Sequence, residues 1–208
     1  MCLFMTISLI LVVCTCYIDA PVALFVQRHF YSNSLWFGYT SDLPDALLTV
    51  VGITTFVAYV CYRTRIRRNI FDARTKLYLL IAVAVPVSFG AKCITKFICG
   101  RVTTRAWLLA NESYGFHWFH GWGAYCGFPS GHMVVFSTLL AALWRICPRW
   151  RYLYLSAGAV LAAALIATNY HFVGDVVAGV YVGMMVEGLV FRIINRRNSG
   201  QNGHPCGS

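Results

Sequence analysis

The chain has 208 residues, of which 59% are hydrophobic and only 12% charged, and its formal net charge is +10. A soluble domain carries about 25% charged residues, so this composition cannot cover a water-facing surface and excludes an ordinary soluble enzyme. The positive excess would suit nucleic acid, but the positions of the charges point to a bilayer instead.

The fold class expected is all-α: a polytopic membrane helix bundle with six transmembrane helices and both termini cytoplasmic. The six apolar segments lie at 2–18, 46–62, 77–95, 132–147, 152–170 and 172–192. A membrane-crossing helix needs about 20 residues, in a range of about 17 to 25, and the fourth segment is short of that. The first is read as a retained helix rather than a signal peptide. No basic residues precede it, and Pro21 follows the one plausible cleavage point at Ala20. Basic residues follow the second segment (YRTRIRRNIFDARTK), separate the fourth from the fifth (RICPRWR) and follow the sixth (RIINRRN). These runs hold twelve of the seventeen Lys and Arg, which the positive-inside rule places in the cytoplasm. They are therefore topology signals, not a nucleic-acid patch. A single domain is expected over 1–197, followed by a disordered polar tail, 198–208. The nine cysteines suggest neither a zinc site nor a disulfide framework. Several lie in apolar runs, where cysteine behaves as a small hydrophobe.

This topology gives the outward side two long loops, 19–45 and 96–131, together with His171. Residues from distant parts of the sequence then share one membrane level: Lys96, Arg101, Arg105, Ser130, His132 and His171. In KFICGR, Lys96 offers a point charge and Arg101 a planar fork suited to phosphate oxygens. The plainer reading is snorkelling at a membrane boundary. In CGFPSGHMVVF, Ser130 is a good N-cap and Gly131 lets a ligand approach the backbone. The free amides at such a helix start attract anions, and His132 sits on the first turn. In ATNYHFVGDVVAGV, His171 and Asp175 are four apart and share a helix face. A carboxylate there can fix the imidazole tautomer, or the pair simply locks a buried helix.

Two cations, a helix N-terminus and two histidines suit attack on a phosphate ester, with one His as nucleophile, the other as acid, and the cations stabilising charge. No carboxylate cluster is available to hold a metal, so metal-free chemistry without a cofactor is expected. Other features keep two readings. The aromatic stretch 115–128 is either a headgroup lid or an interfacial belt. His117 and His120 are spaced for a metal but lack a third ligand. Cys99 and Cys126 are candidates for a disulfide, and Glu187 is expected to pair with Arg192.

At these residues the chain resembles the type 2 phosphatidic acid phosphatases, or lipid phosphate phosphatases, relatives of the vanadium haloperoxidases. The family pattern is K-x6-R-P, P-S-G-H and S-R-x5-H-x3-D. Here the second motif is intact at Pro129, Ser130, Gly131 and His132, and the His-x3-Asp at His171 and Asp175. The resemblance runs from about Lys76 to Phe191. It departs where the arginines of the first and third motifs would fall, on Thr103 and Leu165; Arg105 or Asn169 are candidate substitutes. The resemblance implies His171 as nucleophile, Asp175 as its orienting partner and His132 as acid. It implies Lys96, Arg101, Ser130, Gly131 and Arg105 as phosphate ligands. It further implies a membrane lipid phosphate as substrate, in a bacterial inner membrane with the site facing the periplasm. Two rivals remain: an inactive lipid-binding relative, and an intramembrane serine protease built on Ser130 and His171.

Overall fold

The computed structural model describes residues 2–30 and 42–201, with side chains described at 5–30 and 46–196. The first helical stretch is α1 (Cys2–Val13), a π-helical turn (Cys14–Ile18) and α2 (Asp19–Phe30) in unbroken succession. It is followed by α3 (Asp42–Arg67), α4 (Ala73–Cys99), the short α5 (Thr104–Leu109), α6 (Gly131–Ile146), α7 (Arg151–Ala167) and α8 (Val173–Gln201). Among the described residues there is no β-strand, only an isolated bridge between Arg101 and Phe116.

The helices start and stop for local reasons. Asp72 caps α4 by accepting the Thr75 amide at 2.9 Å, and it also takes the Arg65 guanidinium at 2.6 Å. These bonds favour the carboxylate and hold the Asp72 pKa down at about 2. Gly100 ends α4 with φ +54°, donating its amide to the Lys96 carbonyl at 2.9 Å. That left-handed turn suits glycine. Thr103 caps α5 and Ser130 caps α6.

Five helical stretches are long and apolar enough to cross a membrane: Met5–Phe30, Ala46–Arg67, Ala73–Cys99, Pro148–Ala167 and Val173–Arg196. Five of the six expected spans are therefore long and apolar enough to cross, and the short fourth segment is the exception. Gly131–Ile146 has 16 residues, about 24 Å at 1.5 Å per residue, against a hydrocarbon core of about 30 Å. A correction falls at the N-terminal side. The stretch from 19 to 30, expected as the start of an outward loop, continues the first helix; the remaining loop positions 31–41 lie outside the described residues. At the other end, α8 runs through Gln201, into the polar stretch that the sequence suggests is tail, and 202–208 lie outside the described residues.

The core is the packing of α6 between α4 and α8. Leu80, Ile81 and Ala84 of α4 meet Val135, Leu139 and Ala142 of α6 and Val190 of α8. Leu77, Tyr78, Leu143, Ile146 and Ile194 join at the same end. The start of α4 and the ends of α6 and α8 therefore lie together, and the basic runs flank that end. Two glycines of α8 let α6 come close. A methyl group on Gly179 would stand 2.7 Å from Met133 Cβ and 2.8 Å from the Ser130 carbonyl, and one on Gly183 would collide with Ser137 and Val134. Small residues at such positions are how helices approach without a solvent-driven force between them. Ser137 and Thr138 use the short distance, Thr138 Oγ1 donating to the Gly183 carbonyl at 3.1 Å. Glu187 is buried in α8 and takes a two-pronged bond from Arg145 of α6, at 2.6 and 2.8 Å. The expected partner Arg192 is therefore replaced by Arg145, which lies across the helix interface.

Gly179→Val should push α6 away from α8 and cost about 1–3 kcal/mol as overpacking, read as a lower unfolding temperature in detergent. Gly188→Ala, which faces open space, should leave that temperature unchanged.

Candidate active site

Opposite the basic end, the last turn of α4, the start of α6 and the loop before α8 surround a pocket of about 270 Å³. Its lining is Lys92, Lys96, Thr103, Arg105, Cys126, Gly131, His132, Tyr170 and His171. Lys92 and Lys96 reach it together because they are one helical turn apart on α4. Gly100 then reverses the chain, and Thr103 starts a new helix that delivers Arg105. The aromatic loop is pinned against this turn by backbone bonds: His117 N to Gly100 O at 2.8 Å, Gly127 N to Arg101 O at 2.8 Å and Thr103 N to Ala124 O at 2.7 Å. Lys96 Nζ donates to the Cys126 carbonyl at 2.6 Å.

His132 comes from the first turn of α6 and His171 from the loop before α8, with ring centroids 6.1 Å apart; the helix expected to carry both His171 and Asp175 on one face begins only at Val173. Tyr170 packs against both, at 5.4 Å from His132 and 5.3 Å from His171, and the Arg105 guanidinium lies 5.0 Å from the Tyr170 ring. A main-chain bond fixes the register between the two motifs: Ser130 N donates to the Asp175 carbonyl at 2.9 Å.

Asp175 lies behind His171. Its Oδ2 is 3.7 Å from His171 Nδ1, beyond hydrogen-bond reach, and accepts the Phe172 amide at 3.1 Å. Its Oδ1 accepts Arg101 Nη1 at 2.7 Å. Burial pushes the His171 pKa below its ordinary value, and the Lys96 charge acts in the same direction; Asp175 and the Gly127 carbonyl oppose them. The balance favours the neutral imidazole.

Arg101 does not join the pocket lining. It is fully buried beneath, between Asp175 and Asp19, with Nη2 on Asp19 Oδ2 at 2.7 Å. The resemblance implies Arg101 as a phosphate ligand, but here both ends of its fork are bound by carboxylates. Burial works against its charge, yet Asp175 and Asp19 outweigh burial and hold its pKa above the ordinary value. Stripping a partner from a buried pair costs about 3–5 kcal/mol. Ser130 is also fully buried, with its Oγ directed to the Met133 amide at 3.5 Å. It is a helix cap, which disfavours a serine nucleophile.

Of the two candidate substitutes for the absent arginines, Arg105 lines the pocket. Asn169 instead turns toward α2, with Nδ2 donating to the Ala23 carbonyl at 3.2 Å. Thr103 lines the pocket too, whereas Leu165 is packed among Met133, Leu161 and Val176. Cys99 and Cys126 are free thiols. His117 Nε2 bonds Ser113 Oγ at 2.9 Å, and among the described residues no three His, Cys, Asp or Glu side chains group around a common metal position. The exposed rings of Trp118, Phe119 and Trp122 project from the loop. Two residues escaped the sequence reading. Lys92 was signalled by its i, i+4 spacing from Lys96. Asp19 was signalled as a lone carboxylate within a long apolar run, where an ionisable residue needs a partner.

The sequence profile described as the PAP2 superfamily matches residues 77–199. It covers more than half of the chain, and the chain belongs to this family of phosphatases. No curated protein and no solved structure matches.

The surroundings of His171 predict that its imidazole titrates below 6.5, the ordinary histidine value, in an NMR pH titration of the protein in detergent. A titration above 6.5 would contradict the environment described for His171.

Proposed function

We propose that the chain is an integral membrane phosphatase that hydrolyses the phosphomonoester or diphosphate of a membrane lipid through a phosphohistidine. The observation that carries this reading is the facing pair His132 and His171 in one pocket with Lys92, Lys96 and Arg105.

In the reaction, the phosphoryl group enters the pocket with its nonbridging oxygens toward Lys96, Arg105 and the amides at the start of α6, around Gly131. These supply positive charge where the transition state gathers negative charge. The His171 ring nitrogen turned away from Asp175 attacks phosphorus. The N–P bond forms as the P–O bond to the leaving oxygen breaks, and His132 gives its proton to that oxygen, the lipid alkoxide of a monoester or the bridging oxygen of the departing lipid monophosphate of a diphosphate. Water then attacks phosphorus with His132 taking its proton, the N–P bond breaks, and inorganic phosphate leaves. Asp175 backs the imidazole and favours the positive charge it develops. Two cations in the lining take the place of the arginines that the family has where this chain has Thr103 and Leu165. The chemistry assigned to these side chains needs no metal.

The basic end supports an orientation with that end cytoplasmic. The pocket then opens at the outer face, the periplasmic side of a bacterial inner membrane, with five long helices and the shorter α6 crossing and both termini cytoplasmic. The substrate class is a lipid phosphate exposed there: undecaprenyl diphosphate, lipid A, phosphatidylglycerophosphate or phosphatidate.

His171→Ala should reduce phosphate release from this lipid panel by about 10³-fold or more in protein that still elutes as folded, while a chelator leaves the wild-type rate unchanged. Retained turnover in His171→Ala would refute the nucleophile, and a chelator-abolished rate restored by a divalent ion would refute the metal-free scheme. Arg105→Ala should lower kcat/KM by about 10²-fold, and a wild-type value would leave phosphate binding to the lysines alone.

A further inference from the structure

The residues matched by the family profile begin at 77, yet a chain of buried polar contacts connects the pocket to a helix that ends near residue 30. Asp19 is 1% exposed, although it opens α2 inside the apolar stretch Met5–Phe30. Its Oδ2 accepts Arg101 Nη2 at 2.7 Å, and its Oδ1 accepts the Gly174 amide at 2.8 Å. Both contacts lead to the nucleophile. Arg101 Nη1 holds Asp175 Oδ1, and Gly174 lies in the first turn of α8, between His171 and Asp175. The space is made for this carboxylate: a methyl group on Gly174 would stand 2.8 Å from Asp19 Oδ2 and 3.4 Å from Arg101 Nη1.

The surroundings keep the group dry and aligned. Phe172 and Phe116 lie over the Arg101 guanidinium at 4.6 and 5.1 Å. Tyr114 Oη accepts from Arg101 Nη2 at 3.0 Å and donates a hydrogen bond to the Thr15 carbonyl at 2.7 Å. Thr15 belongs to the π-helical turn just before Asp19, and such turns redirect backbone groups away from the regular ladder. The guanidinium is thus tied to the first helix at two points and to Asp175 at a third. Without Asp19, one end of a fully buried fork would lack its counter-charge, and Arg101 would be free to pull Asp175 away from its position behind His171.

We infer that Asp19 is a positioning residue for the reaction proposed above: acting through Arg101, it fixes Asp175, so that the first membrane helix completes the catalytic site. The inference rests on the phosphohistidine reading. It predicts an effect on turnover and not on substrate capture, because neither Asp19 nor Arg101 lines the pocket.

The test compares Asp19→Asn, Arg101→Met and the double variant, with the amount of folded protein normalised by size-exclusion in detergent. Activity is followed on phosphatidate micelles and on water-soluble p-nitrophenyl phosphate. Asp19→Asn should lower kcat by about 10- to 100-fold on both substrates, with KM within about twofold. The double variant should be no slower than Arg101→Met alone, since Asp19 acts through that arginine. Folded Asp19→Asn with wild-type kcat, or losses that multiply in the double variant, would overturn the inference. Should Asp19→Asn not be recovered folded, Gly174→Ala crowds the same carboxylate from the other side. It should likewise lower kcat at unchanged KM, and wild-type kcat there would be equally damaging. His171→Ala run in parallel separates the two ideas. If it is inactive while Asp19→Asn is normal, only the role of Asp19 falls; if it is active, or if wild-type protein releases no phosphate, the underlying reaction falls as well.

Discussion

A buried guanidinium holds this molecule's polar end together. Arg101 is fully buried and spends its fork on two carboxylates, Asp175 beside the nucleophile candidate and Asp19 on the first helix. Neither acid would be tolerable alone in so apolar a setting, and a buried charge keeps its place only when paired and hydrogen-bonded. The arrangement therefore has one low-energy geometry. It fixes the end of α4, the start of α8 and the junction of the π-helical turn with α2 relative to one another. The pocket rests on top of that frame. The bond from Ser130 N to the Asp175 carbonyl then attaches α6 to it, bringing His132 opposite His171.

The pocket's own chemistry follows from who is left to face it. With Arg101 committed below, the positive charge available above is Lys92, Lys96 and Arg105. Lysines are point charges that adapt to a moving phosphoryl group, whereas an arginine fork imposes a geometry. One arginine and two lysines around the start of a helix concentrate positive charge in the pocket. The close packing of α6 on α8 through Gly179 and Gly183 gives this site a stiff floor.

Much of this was readable from the sequence, for identifiable reasons. Pro129 to His132 were legible because capping is a local rule; His171 and Asp175 were legible as neighbours, but not that His171 lies in the loop before α8 rather than on its face. Topology alone was enough to place Lys96 and the histidines at one level. The carboxylate partners of Arg101 were not legible, because spacing shows that an arginine is near a site but not which way it points; Asp19 is more than eighty positions away. Asp19 was hidden by the expectation that the first helix ends at residue 18, where a polar residue looked like the start of a loop. Glu187 was given the neighbour one turn on, Arg192, when the partner was Arg145 across the helix pair. The length of α6 was the other limit, since hydropathy does not distinguish a short buried helix from a full span.

The central claim is that phosphorus becomes bonded to the imidazole at position 171. Its most direct measurement is rapid alkaline quench of the enzyme during turnover of a lipid phosphate, followed by peptide mass spectrometry under conditions that preserve phosphoramidates. The account predicts a phosphate mass on the peptide carrying His171 and none on that peptide from His171→Ala. A phosphate mass on Ser130 or His132, or turnover with no phosphorylated peptide on any residue, would contradict it.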